Sequence, residues 1–129
     1  MDTTSFPRLD LFAHRESLRL SASKVVERLV EIVGRKLTAY IGGVKDVRAV
    51  DRWIAGGELY GGAESRLRFV FQVARALSEY DSPAVAQAWL TGVNPELGDR
   101  VPLRLMCENE IDVVAPAILS AVRAFLAGG

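Results

Sequence analysis

Apolar residues along this chain recur at intervals of three and four, and each run ends at glycine, at proline or in a short polar stretch. That period predicts helices and gives no convincing strand. Val26, Leu29, Val30 and Val33 form the stripe of a helix over about 22–33, with Ser21 or Ser23 as its cap and Gly34 as its stop. Leu37, Tyr40 and Ile41 supply a second, shorter apolar face over about 36–42, where the small Ala39 lets a neighbour cross closely. Gly42-Gly43 then turns the chain. Asp46 is placed to accept from backbone N–H groups of a new first turn, and Val50, Trp53 and Ile54 fall on one seam. Gly56-Gly57 ends this third helix. Helix, helix, glycine turn and helix together make the helix-turn-helix pattern.

After a loop containing Leu59 and Tyr60, the longest helix is expected over about 63–80. Leu67, Val70, Phe71, Ala74 and Leu77 make one of its apolar stripes; Phe69, Val73, Ala76 and Tyr80 make another. A helix apolar on two sides has to be covered on two sides. It is either the centre of the monomer or the seam with a second copy, and Phe69, Val73 and Tyr80 are the candidate dimer contacts. Ser82-Pro83 starts the next helix, 83–91, with Trp89 and Leu90 on its inner side. A turn-rich connection spans 92–102, followed by a short helix near 103–108 and a last one near 112–126. Pro116 is tolerated there if that helix begins near Asp112. Residues 1–20 show no comparable period and read as a partly ordered arm. The expected organisation is all-α: an arm (1–20), a helix-turn-helix domain (21–62) and a small helical C-terminal domain (63–129), joined by the long central helix.

Composition changes this picture in one respect. The chain of 129 residues has no formal net charge, yet residues 35–52 hold five basic residues against two acids, while 67–129 hold five against seven. Phosphate binding needs a local positive patch, because screening confines the useful field to about 8 Å. A short amphipathic helix with arginines on its open face suits the DNA major groove. The candidate DNA contacts are Lys36, Lys45, Val47, Arg48, Asp51 and Arg52. Arg48 and Arg52 would reach bases or phosphates, with Lys36 and Lys45 as phosphate clamps; the alternative is a plain solvated face. Trp53 and Trp89 read as core, and Asn94 as a residue shaping its own turn.

Catalysis finds no foothold. His14 is the single histidine and Cys107 the single thiol; no metal-ligand spacing, phosphate-binding loop or nucleophile elbow is present. No cofactor is expected. Glu108 and Glu110 read as a solvated helix start. One cysteine excludes an intrachain disulfide, and neither a membrane-spanning run nor a leader core is seen, so a cytoplasmic protein is expected.

Two stretches carry a resemblance. The first is Arg48-Ala49-Val50-Asp51-Arg52-Trp53-Ile54-Ala55-Gly56; the second is Ala88-Trp89-Leu90, Asn94-Pro95, Leu97, Pro102 and Leu105. Their order is similar to that of the Xre/MbcA/ParS antitoxins, which join a helix-turn-helix to a C-terminal toxin-binding domain. The resemblance implies a homodimeric, DNA-binding antitoxin whose partner toxin is an NAD-consuming or ADP-ribosylating enzyme. It places the toxin contact in the loop with Asn94, Pro95, Glu96 and Arg100. A stand-alone regulator or interaction module without a toxin has the same architecture.

Overall fold

The structure is a computed structural model that describes residues 20–128. Leu20 apart, the expected N-terminal arm lies outside the described residues. Within them the chain forms α1 (Ala22–Val33), α2 (Arg35–Ile41), α3 (Arg48–Ile54), α4 (Ala63–Tyr80), α5 (Pro83–Thr91), α6 (Pro102–Glu108) and α7 (Ile111–Leu126). A single 3-10 turn lies at Pro95–Leu97, and no strand occurs among the described residues. The all-α expectation holds, and the helices lie almost where the apolar period places them.

Local chemistry explains the starts. Ser21 Oγ accepts from the Lys24 amide and Ser82 Oγ from the Val85 amide, each filling an orphan donor of a first turn. Pro83 and Pro102 sit at the first helical positions, where the missing N–H costs nothing. Pro116 lies in the second turn of α7 and faces solvent, so the ladder bond it removes leaves no buried group stranded. Asn109, in place of a closing glycine, donates from Nδ2 to the Leu105 carbonyl and so caps α6 through its side chain.

α4 is the centre. It packs against α1, α5 and α7, with lesser contacts to α2 and α6. Its first stripe (Leu67, Val70, Phe71, Ala74, Leu77) is buried, and so are Val73 and Ala76 of the second. Of the three candidate dimer contacts, this corrects Val73. Val73 is only 1% exposed within one chain; Phe69 packs partly buried against the core, and Tyr80 meets Phe125 edge-to-face at 6.1 Å yet stays 46% exposed.

The core is also continuous across residue 62, where the domain division was expected. One apolar cluster runs from Val25 through Trp53 and Phe71 to Leu126. Long-range side chains reinforce it at the helix ends, where backbone carbonyls lack intrahelical partners. Gln87 Nε2 donates to the Ile32 carbonyl at 2.9 Å, and Arg66 Nε donates to the Ile41 carbonyl. Tyr40 on α2 and Cys107 on α6 lie near enough to perturb each other's ionisation, so the front and back halves also meet through polar groups.

Candidate nucleic-acid interface

The surface of interest is the outer face of α3 together with the turn before it. α3 is set in place from both ends. Ala49, Val50 and Trp53 are buried against α1 and α2, which turns the opposite face to solvent. At the far end the Gly56 amide returns to the Trp53 carbonyl and the Gly57 amide to the Arg52 carbonyl. This closure needs the left-handed φ of 102° that Gly56 adopts. At the near end, the Gly43 and Val44 amides close α2 in the same manner on Tyr40 and Ala39. Gly42 then lies directly under the Trp53 indole: a Cβ there would come within 2.3 Å of the ring. The missing side chain fixes how closely α3 approaches the end of α2.

Asp46 engages the first turn as expected, one residue further from the helix. Val47 occupies the cap position, and Asp46 Oδ1 accepts the Arg48 amide at 2.9 Å. The same carboxylate receives the Arg48 side chain, from Nε at 3.0 Å and Nη2 at 2.8 Å. Those side-chain bonds, and then the amide bond, hold the Asp46 carboxyl down to about 2 from an ordinary 3.8. The pairing in turn raises the already high Arg48 pKa. Arg48 nonetheless stays 79% exposed.

The other expected DNA contacts divide. Lys36, Lys45 and Arg52 are exposed and form no ion pair among the described residues. Val47, just before α3, is half-buried and packs against the core, so only part of its side chain is open to solvent. Asp51 faces solvent but is engaged by Arg35 at the start of α2 through Nη2–Oδ2. Arg35 was not among the expected site residues. It lies 16 positions from Asp51, and no local spacing signals the pair. Tyr60 was missed too; it stands 76% exposed at the rim of a groove of about 460 Å³ that Gly43, Arg52, Trp53 and Gly57 also line.

The loop expected to meet a protein partner lies elsewhere. Asn94 is 9% exposed: its Oδ1 accepts the Glu96 amide, and its backbone exchanges with Arg100, Leu97 and Asp99. It shapes the turn, as its residue type suggests, rather than presenting a free amide oxygen. Arg100 donates from Nε to the Leu97 carbonyl, closing the same loop. Pro95 and Glu96 are exposed. They border a groove of about 320 Å³ between the loop and α7, with Trp89, Val93 and Phe125 on its walls.

No cluster of His, Cys, Asp and Glu suited to a metal ion occurs among the described residues, and none of their helices is long and apolar enough to cross a membrane. Compared with known proteins, the chain matches no family model, no curated protein and no solved structure.

Proposed function

We propose that the chain is a DNA-binding transcriptional regulator of antitoxin type, acting by binding rather than by catalysis. Its α2–turn–α3 unit reads operator DNA as a helix-turn-helix, and its back half neutralises a toxin. One observation carries the DNA reading: a short helix anchored by Val50 and Trp53 offers Arg48 and Arg52 to solvent, with Lys36 and Lys45 exposed and unpaired among the described residues on the neighbouring segments. A helix of this kind fits the major groove, and flanking cations supply the phosphate attraction that positions it. Two-fold operators repeat half-sites about 34 Å apart, so the regulator acts as a homodimer on DNA, through a surface other than the buried Val73 stripe.

A salt titration of binding to promoter-proximal duplex tests this. Affinity falls as salt rises, and Lys45→Ala lowers the log–log slope by about 0.9. Arg48→Ala with Arg52→Ala removes sequence preference. Absence of binding at low salt, or an unchanged affinity in the double variant, rules the reading out.

The toxin arm is supported by the groove beside Pro95, Glu96 and Phe125, which is lined by apolar side chains and rimmed by a single acid. The resemblance to toxin-binding domains points to an NAD-consuming or ADP-ribosylating partner. Removing α7 is a poor test, because Ile118, Ala121, Val122 and Leu126 are core residues. Val93→Asp with Glu96→Arg leaves the core intact. If this variant co-purifies with the product of the neighbouring reading frame as well as the wild type does, the groove is not the toxin contact. If no neighbour product is captured by either, the chain is a stand-alone regulator.

A further inference from the structure

Arg48 is held differently from Arg52. Its guanidinium lies side-on to Asp46, with Nε at 3.2 Å and 3.0 Å from the two carboxylate oxygens and Nη2 at 2.8 Å from Oδ2. An arginine fork has two usable edges, the Nε/Nη2 side and the Nη1/Nη2 end. Asp46 occupies the side, which leaves the end open to solvent. The same Oδ1 accepts the Arg48 amide, so the carboxylate is fixed to the backbone of α3 and not only to the tip of a long side chain.

We propose that Asp46 is a positioning residue for base reading: it holds Arg48 side-on so that the Nη1/Nη2 end meets the O6 and N7 acceptors of a guanine in the major groove. The inference rests on the DNA-binding reading above and names the base class read. The physical reason is preorganisation. A free arginine loses most of its rotamer freedom on docking, whereas one already clamped keeps little to lose, and end-on pairing is the bidentate geometry that selects guanine. Arg52 one turn on forms no such pair among the described residues and serves as the internal contrast, a phosphate-type contact. Charge by itself argues the other way: an acid beside DNA repels phosphates, and removing it would strengthen binding to every sequence. The two effects therefore have opposite signs, which makes them separable.

Short random duplexes enriched on the full-length wild-type protein serve as the probe. Each guanine of the enriched duplex is replaced in turn by 7-deazaguanine, which lacks the N7 acceptor. At one position per half-site, wild-type affinity is expected to fall about tenfold. In Arg48→Ala that penalty disappears, while Arg52→Ala weakens all duplexes and keeps it. Asp46→Asn retains an acceptor for the Arg48 amide and loses the charge; its affinity for unrelated duplexes rises about twofold as repulsion is lifted, yet the 7-deazaguanine penalty shrinks to about twofold. Asp46→Ser, whose hydroxyl also caps, is expected to behave alike, and circular dichroism melting checks that both variants fold. If the penalty keeps its wild-type size in both, Asp46 is only a repelling charge and the inference is wrong. A wild type that binds DNA without any N7-sensitive guanine overturns the inference alone. Enrichment of no duplex overturns the DNA reading and this inference with it.

Discussion

Two titratable residues stand in opposite settings. Asp46 is exposed and paired with Arg48, which brings its carboxyl to about 2 from 3.8. A depressed folded-state value means that the ionised form favours the native state. The contribution is present above about pH 4 and is lost as the pH falls towards 2. Exposed pairs add little to stability, so the diagnostic readout is the titration itself. Carboxyl carbon resonances should place the Asp46 midpoint near 2 in the wild type and return it towards 3.8 in Arg48→Ala. An unchanged midpoint would mean that the pair does not persist in solution. Cys107 shows the reverse. Burial pushes its thiol up to about 11, against smaller opposing pulls from Arg66 and Tyr40. At neutral pH the thiolate fraction is cut by roughly a hundredfold, one decade per pKa unit. Alkylation by iodoacetamide should slow correspondingly in the folded protein relative to the denatured one, and equal rates would refute the buried setting.

At the scale of elements, the placement of α3 depends on what is absent from Gly42. The backbone there is ordinary right-handed helix, so alanine suits the local conformation. The obstacle is the Trp53 ring, whose nearest atoms would lie 2.3 Å and 2.6 Å from a new Cβ. Trp53 is itself buried and cannot swing aside without opening the contact between α3 and α2. Gly42→Ala is expected to cost about 1–3 kcal/mol, as overpacking does, and, on the proposed DNA-binding role, to weaken that binding by rotating α3. Gly62→Ala is the control, since a Cβ added there would meet nothing within 4 Å and its φ of −87° is open to any residue. It should leave stability unchanged or raise it slightly, by restricting the unfolded chain. Denaturant melts of the two variants decide the matter, and equal midpoints would show that the Trp53 approach does not limit α3.

At the scale of the whole molecule, the shared core makes a definite claim about cooperativity. α4 gives one face to α1 and others to α5 and α7, so neither half has a complete core without it. Thermal unfolding followed by calorimetry, far-ultraviolet dichroism and tryptophan fluorescence should show one coincident transition, with Trp53 and Trp89 reporting from opposite halves. Two resolved transitions would support the division at residue 62. Val73→Glu tests the same point. It places an unpaired charge at a site 1% exposed within the monomer, so the expected result is loss of cooperative folding rather than release of a folded monomer. Folded, monomeric Val73→Glu protein would return this stripe to a subunit interface.

Helix existence, type and limits were legible in the linear chain because helix-forming forces act over three or four residues. The Val26–Val33 stripe, the Ser21 and Ser82 caps and the prolines at 83 and 102 all operate within one turn of their own position. The exposed Arg48 and Arg52 followed from the same local logic, since a seam at Val50 and Trp53 dictates the opposite face. Contacts across long sequence separations carried no such signal. Arg35 finds Asp51 only after α2 and α3 have docked, and Val47 lies half-buried against the core after the turn at Gly42-Gly43. The second stripe of α4 could equally have met a second copy, since burial of apolar area is blind to which chain provides the cover. For Val73 and Ala76 tertiary packing supplies the cover within one chain, by returning α5 and α7 to the same helix.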